Sequence, residues 1–421
     1  MRTLHIFTNT SLLQQGRIMT DTTVPAPDPM VKAAQTTSFA VLFAISFSHT
    51  LNDMMQAVLP AIYPTLKDAF HLSFTQVGLV TLAFQCTASL FQPWVGFLAD
   101  KRPAPYSLAA GMVSTLLGIV LLAYAHSYPA LLVAAMMIGL GSSVFHPESA
   151  RVARMASGGR HGLAQSLFQV GGNVGTALGP LTAAAVVALW GQPGVAIYVL
   201  AAVLAIMILL RVGHWYKHNG LKRIRSARRH DQMGLSPRRT RLALGVLVLL
   251  VFSKYVYLVS ITSYLTFYLI QTFHVSVAVA QLHLFAFLAA VAAGTFAGGP
   301  LGDHFGRKYV IWFSILGMLP FTLILPYANL FWTAALSMVV GVVMASAFPA
   351  IVVFAQELLP HRLGMISGIF YGLAFGIAGL SAAGLGMLAD ATSIRFVYQI
   401  CAFMPLIGLL TVFLPDTKAL R

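Results

Sequence analysis

Charge is what this sequence has least of. Only 9% of its 421 residues are charged, and just 11 are acidic. A soluble chain would carry about a quarter of its residues as charges, so an ordinary water-facing surface is excluded. Cysteine is almost missing too. Cys86 and Cys401 both fall in apolar runs, so no disulfide framework is implied. Short alternating segments, which a β-barrel needs, do not occur. There is no G-x-x-x-x-G-K-[ST] loop for ATP, and no nucleophile–base motif or dense His/Cys cluster that would mark a hydrolase. No cofactor and no metal are expected.

What the chain does have is apolar length. It is 58% hydrophobic with mean hydropathy +0.80, and runs near twenty residues recur, each able to cross a hydrocarbon core of about 30 Å. The runs predict twelve membrane helices at 38–62, 76–99, 105–125, 129–151, 163–189, 194–213, 242–270, 280–301, 309–327, 330–355, 363–389 and 395–414. The fold class expected is an all-α membrane protein of two six-helix bundles, residues 38–213 and 242–414. A basic cytoplasmic linker (214–241) joins them, with tails at 1–37 and 415–421.

The net charge of +15 comes largely from one place: Lys222, Arg223, Arg225, Arg228, Arg229, Arg238, Arg239 and Arg241. Beside spanning helices, such a cluster sets topology and touches anionic lipid rather than nucleic acid. Lys101, Arg102, Arg154, Arg160, Arg307, Lys308 and Arg362 occupy alternate loops with it, whereas the intervening loops hold only Lys67 and Arg395. Both termini are therefore expected in the cytoplasm. The first 37 residues lack the sustained apolar core of a signal peptide. Pro25, Pro27 and Pro29 suggest a disordered tail there, and Met19 and Met30 leave the start codon open.

The two halves echo each other. Asp100 after GFLA aligns with Asp303 after GPLG at a separation of 203, while Pro147, Arg160 and Phe168 align with Pro349, Arg362 and Phe370 at 202. The same register sets Asn52 opposite Lys254 and Asp53 opposite Tyr255. Parallel repeats of this kind place a substrate site at their interface near the midplane.

Against that apolar background a few polar residues stand out. His49, Asp53 and Gln56 share one face of the first helix, with Asn52 at its border. An aspartate in mid-membrane costs roughly 2.5–3.5 kcal/mol and is functional by default. Asp53 is read as the proton-exchanging group with His49 as a possible relay partner, the alternative being a structural carboxylate between helices. Lys254 lies midway along the seventh span and needs an anion: Asp53 or an anionic substrate. Tyr255 adjoins it, while Tyr257, Tyr264 and Tyr268 follow on nearly the same face to stack or hydrogen-bond a ligand. A Lys–Asp latch holding the halves together is the plainer reading.

In the fourth helix Pro147 interrupts HPESAR, where His146, Glu148 and Arg151 form an ionisable cluster. His146 with Glu148 is read as further proton chemistry, and Arg151 as a gate residue. Glu357 closes the tenth helix in the corresponding place, as a gate residue or a solvated helix end. In the fifth helix Gly171, Gly175 and Gly179, followed by Pro180, form a small-residue stripe for close packing. Gln165, Gln169 and Asn173 form a second stripe about 200° away, facing a cavity.

GPLGDHFGRK, with Asp303, Arg307 and Lys308, resembles the loop signature of the major facilitator superfamily. The first-half copy GFLADKRPAPYS keeps Asp100 and Lys101 but not the later glycine and basic pair. The GxxxGP core at 175–180 resembles the fifth-helix signature of that superfamily's proton-coupled drug exporters. The arginine those exporters carry deep in the fourth helix has no counterpart in AAMMIGLG. From about Phe39 to Asp416, FHPESARVARMASGGRHGLAQSLFQVGGN, FSKY, AQLHLFAF, GRKYVIW and AQELLP resemble a family of bacterial phosphonate-antibiotic (fosmidomycin) resistance exporters. That resemblance implies a multi-pass inner-membrane exporter of fosmidomycin-like anions working as a proton antiporter by alternating access, functional as a monomer. Rival readings are a proton-coupled importer of a small organic anion, a membrane-embedded hydrolase, and a non-transporting receptor or scaffold.

Overall fold

The computed structural model describes residues 36–72, 74–220 and 235–416, and these are predominantly helical with no strand among them. Most of the N-terminal tail, linker residues 221–234 and the C-terminal 417–421 lie outside the described residues, and with them Lys222, Arg223, Arg225, Arg228 and Arg229.

The first half comprises α1 (Phe39–Ala61), a short α2 (Tyr63–Ala69), α3 (Phe74–Leu90), α4 (Gln92–Lys101), α5 (Ser107–Ala123), α6 (Tyr128–Ala156), α7 (His161–Trp190) and α8 (Tyr198–Trp215). The second comprises α9 (Pro237–Phe273), α10 (Val277–Phe305), α11 (Arg307–Leu316), α12 (Leu319–Ile324), α13 (Leu330–Ala345), α14 (Ala347–Leu358), α15 (Leu363–Ala391) and α16 (Ile394–Cys401), the last continued by a 3₁₀ stretch from Met404 to Phe413. Several expected spans are thus two consecutive helices. α3 and α4 part at Phe91, just before Pro93, and α11 and α12 part just before Pro320. Proline supplies no N–H and sits comfortably only in a helix's first turn, so the chain restarts there.

Nine described segments, all those from Tyr128 onward, are long and apolar enough to cross a bilayer. The three before them fall short for separate reasons. α1 has 23 residues but carries a histidine, an asparagine, an aspartate and a glutamine. The α3–α4 rod is broken, and α5 has only 17 residues. The seventh helix differs from expectation in the other direction. It starts at Pro237, capped by Ser236, and runs 37 residues, so Arg238, Arg239 and Arg241 ride on a helix rather than in a loop.

Within the first half α1 lies along α7, and α6 packs on α5 and α3. In the second half α10 packs on α13, and α9 on the terminal 3₁₀ stretch. Across the halves, α15 meets α4 and α6, while α10 meets α7. The α1–α7 seam explains the glycine stripe. A Cβ at Gly171 would strike the Ser46 carbonyl, one at Gly175 the Thr50 carbonyl, and one at Gly179 would lie 2.5 Å from the Ala57 Cβ. Small residues let backbones approach where lipid offers no hydrophobic drive. Gly175→Leu should therefore lower the melting temperature of the purified protein by several degrees, since overpacking costs about 1–3 kcal/mol or more. Unchanged melting would show that the seam tolerates a side chain.

Candidate functional site

Two polar constellations face each other across the interface of the halves. The first lies in the N-terminal half, where α1, α6 and α7 meet. His49 and Asp53 are one turn apart on α1, with His49 Nε2 3.2 Å from Asp53 Oδ2. His146, on α6 beside Pro147, brings its Nε2 to 3.5 Å from Asp53 Oδ1 and 3.3 Å from His49 Nε2. Both histidines are fully buried, and Asp53 is 12% exposed. Backbone carbonyls fix the tautomers, because a carbonyl only accepts. His49 Nδ1–H donates to the Phe168 carbonyl at 2.7 Å, and His146 Nδ1–H to the Ser142 carbonyl at 3.1 Å. Each neutral ring then turns an Nε2 lone pair toward the other and toward a carboxylate. Three acceptors converge, an arrangement that needs a positive charge among them. The three ligand atoms lie within 4.8 Å of one another, spacing that also suits a metal ion.

Asn52 and Gln56 serve this carboxylate. Asn52 Nδ2 donates to Asp53 Oδ1 at 2.9 Å and Gln56 Nε2 to the same oxygen at 3.3 Å. They are placed on Asp53 and do not line the cavity expected of them. Phe168 stacks on the His49 ring with centroids 4.1 Å apart.

The second constellation belongs to the C-terminal half. Lys254 is 4% exposed, with Nζ 5.0 Å from the Phe348 ring centroid and 5.4 Å from that of Tyr255. Among the described residues no carboxylate lies within 4 Å of it, so the expected Lys254–Asp53 pair is replaced by a histidine-held Asp53 and a lysine set over aromatic faces. Lys254 opens instead into a small cavity lined also by Gln169, Asn173, Tyr255, Thr295 and Phe348. The cavity draws on both halves, as Asn173 Nδ2 donates across to Thr295 Oγ1 at 3.1 Å.

Tyr257, Tyr264 and Tyr268 are not among its lining residues. With Ile261 and Leu265 they continue a stripe at three- and four-residue spacing that faces the second half's own core. The Tyr268 hydroxyl donates to the Pro326 carbonyl and that of Tyr264 to Ala382. An aromatic stripe at helical spacing is here core.

A residue that the sequence reading missed joins the two constellations. Tyr371 on α15 donates to Gln169 Oε1 at 2.9 Å and accepts from Gln165 Nε2 at 2.5 Å. Its ring centroid lies 5.5 Å from His146 and 5.1 Å from Phe348. The repeat register held the signal. Position 371 is the mate of Gln169 (371 − 169 = 202), and His146 and Phe348 are mates too (348 − 146 = 202). Mates that touch lie beside the pseudo-two-fold axis.

Away from this centre, at the end bearing the basic loops, the halves cap each other. Asp100 accepts from the backbone N–H groups of Gly364 at 3.0 Å and Met365 at 2.9 Å, in the first turn of α15. Asp303 does the same for Gly162 at 3.0 Å and Leu163 at 2.9 Å in α7. Each carboxylate thus satisfies orphan donors and faces the positive end of a helix of the other half. Gly96 against Gly364, and Gly299 against Gly162, allow the approach, because a Cβ at either would strike the partner's carbonyl. Asp100 makes this contact despite its incomplete loop signature.

Around these caps run buried ion pairs. Glu148 meets Arg151 Nη1 at 3.4 Å, Arg151 Nε lies 3.7 Å from Asp100, and the same guanidinium donates to the Tyr216 hydroxyl at 2.5 Å. Glu148 therefore belongs to the cap and not with His146, since two residues along a helix point about 200° apart. Glu357 is buried between Arg307 at 3.3 Å and Arg154 at 3.9 Å, and Arg307 Nη2 reaches Asp303 at 2.6 Å. It is not a solvated helix end. Lys308 reaches the Val412 carbonyl at 3.4 Å. Pro180 lies inside α7 without ending it.

Helical halves repeated in parallel around a central polar cavity define a transporter class, and comparison with known proteins agrees. The Major Facilitator Superfamily profile matches residues 45–272 and 243–421, and the chain belongs to that superfamily. It is a membrane transporter and not an enzyme. It is 57% identical over 397 residues to the fosmidomycin resistance protein of Escherichia coli strain K12, covering 93% of this chain and 98% of that one. YfnC of Bacillus subtilis strain 168, described as an uncharacterized MFS-type transporter, is 39% identical over 400 residues, covering 94% and 98%. Among solved structures, the E. coli fucose:proton symporter matches with TM-score 0.70 at 18% identity, over 90% of this chain and 98% of that one. The proton:xylose symporter XylE matches at 0.67 and 15%, over 90% and 96%. At these identities the structural likeness is one of fold.

The paired caps make a testable statement. A charged hydrogen bond contributes about 1.5–3 kcal/mol, so Asp100→Asn with Asp303→Asn should loosen that end of the molecule. With Cys86 and Cys401 replaced, a cysteine at buried Ser166 should react with a maleimide at least tenfold faster when both aspartates are neutralised. An unchanged rate would mean the caps do not hold the halves together.

Proposed function

We propose that this protein exports fosmidomycin-like anionic phosphonates across the bacterial inner membrane by proton antiport, both termini facing the cytoplasm. The observation that carries the reading is Lys254: a buried ammonium with no carboxylate within 4 Å among the described residues, opening into a cavity shared by both halves. A cation placed in a membrane needs an anion or bulk water. Gln169, Asn173 and Tyr255 line the same cavity and offer hydrogen bonds to the remaining oxygens of a phosphonate. The 57%-identical E. coli relative, by its name a fosmidomycin resistance protein, supports the same substrate class.

Protons would enter through the other constellation. Asp53 and the two Nε2 atoms form a site that is complete only with a proton among them, and Asn52 and Gln56 stabilise the ionised carboxylate. Tyr371 touches His146 and Gln169 together, so reorganisation at the proton site reaches the cavity through one ring and one hydroxyl. Closure by the Asp100 and Asp303 caps corresponds, in the orientation the basic loops imply, to a state shut toward the cytoplasm. One proton entering down about 150 mV releases roughly 3.5 kcal/mol, which sustains a several-hundred-fold substrate gradient.

The direct test is binding. Lys254→Met should weaken a phosphonate at least thirtyfold, about 2 kcal/mol, and a neutral analogue far less. Lys254→Arg keeps the charge on a planar fork and should be intermediate. Asp53→Asn should bind substrate but fail at uphill efflux. Unchanged phosphonate affinity in Lys254→Met would end this reading.

A further inference from the structure

The first constellation has the dimensions of a metal site as well as of a proton site. His49 Nε2 lies 3.2 Å from Asp53 Oδ2, His146 Nε2 lies 3.5 Å from Asp53 Oδ1, and the two nitrogens are 3.3 Å apart, so each imidazole faces one oxygen of the same carboxylate. A four-coordinate ion with bonds of about 2.0–2.1 Å places neighbouring ligands about 3.3 Å apart. We infer that His49, His146 and Asp53 bind a divalent transition-metal cation of the zinc class, with a fourth position left open.

Three further observations point the same way. Both rings are held as metal ligands are, each Nδ1–H on a backbone carbonyl, Phe168 for His49 and Ser142 for His146. This outer contact leaves the Nε2 lone pair aimed inward. The Ser142 hydroxyl, 3.2 Å from His146 Nδ1, adds a second restraint. Next, the space beside the ligands is kept clear by Gly172, where a Cβ would sit 2.6 Å from His49 Nε2 and 2.8 Å from Asp53 Oδ2. Last, no lysine or arginine is paired with Asp53 among the described residues, so its charge remains available to a cation. Two imidazoles and one carboxylate prefer zinc-class ions to magnesium or calcium.

The ion would tie α1 to α6 at the point where the proposed proton acts. If the proton-antiport reading holds, zinc would displace the proton and stall the cycle. Binding itself does not depend on that reading. Elsewhere His214 and His218 stack with centroids 4.2 Å apart, an exposed pair with the spacing for surface zinc, and this needs a control.

The test is titration of the purified full-length protein in detergent, with zinc chloride followed calorimetrically and cobalt chloride followed by its visible ligand-field bands. The wild type and a His214→Gln/His218→Gln variant should each bind one zinc ion at the buried site, and cobalt should show four-coordinate bands that zinc abolishes. His49→Gln, His146→Gln and Asp53→Asn should each weaken binding at least tenfold, and zinc should raise the melting temperature of the wild type but not of these three. A monodisperse elution profile in each variant excludes misfolding as the cause. Unaltered zinc affinity in the three variants, or loss of binding with His214→Gln/His218→Gln alone, would overturn the site. Binding without inhibition of efflux would keep the site but remove its competition with the proton.

Discussion

Two imidazole lone pairs and a carboxylate cannot be held within 4.8 Å of one another inside a protein without a positive charge among them. That constraint organises the N-terminal half. It explains why the first helix carries His49, Asn52, Asp53 and Gln56 through an otherwise apolar segment, and why His146 sits at a proline-marked turn of α6. The other half holds the converse problem, a buried ammonium seeking an anion. Repeat mates stand in both constellations: Asn52, Asp53 and His146 in the first, and Lys254, Tyr255 and Phe348 in the second.

Between the two sites the structure supplies few polar connections, which makes Tyr371 informative. Its hydroxyl bridges two glutamines of α7 while its ring rests between His146 and Phe348. At one end of the molecule, symmetric aspartate caps hold the halves through helix N-termini, and crossing glycines make the distance short enough for hydrogen bonds. Such caps suit a moving protein. A backbone N–H released from Asp100 or Asp303 at a helix end can take water instead, so parting the halves there would leave no orphaned donor.

Much of this was legible in sequence because membrane constraints are severe. Apolar length located the helices, and the cost of polar atoms in lipid made Asp53 and Lys254 conspicuous. The four-residue glycine spacing pointed to the seam that α1 and α7 form. Partnerships were less legible. Asp53 was set beside Lys254 by the repeat register, yet two histidines hold it, because a helix face does not disclose which neighbouring helix reaches it. Glu148 was grouped with His146 by proximity in sequence, although helical rotation carries them to different sites. Tyr257, Tyr264 and Tyr268 shared a face with Lys254 but face their own bundle's core. Tyr371 went unremarked since one tyrosine in an apolar helix carries no local signal, and only comparison with Gln169 at the matching repeat position would have singled it out.

The central claim is that an anion at Lys254 and a proton at Asp53 are exchanged for one another. It is tested most directly in proteoliposomes enclosing a pH-sensitive dye, with no membrane potential and no initial pH difference, on addition of fosmidomycin outside. The account predicts substrate entry accompanied by outward proton movement, so that the lumen becomes more alkaline in the wild type and stays unchanged with Asp53→Asn. Substrate uptake with no proton movement, or with protons travelling in the same direction as the substrate, would contradict it.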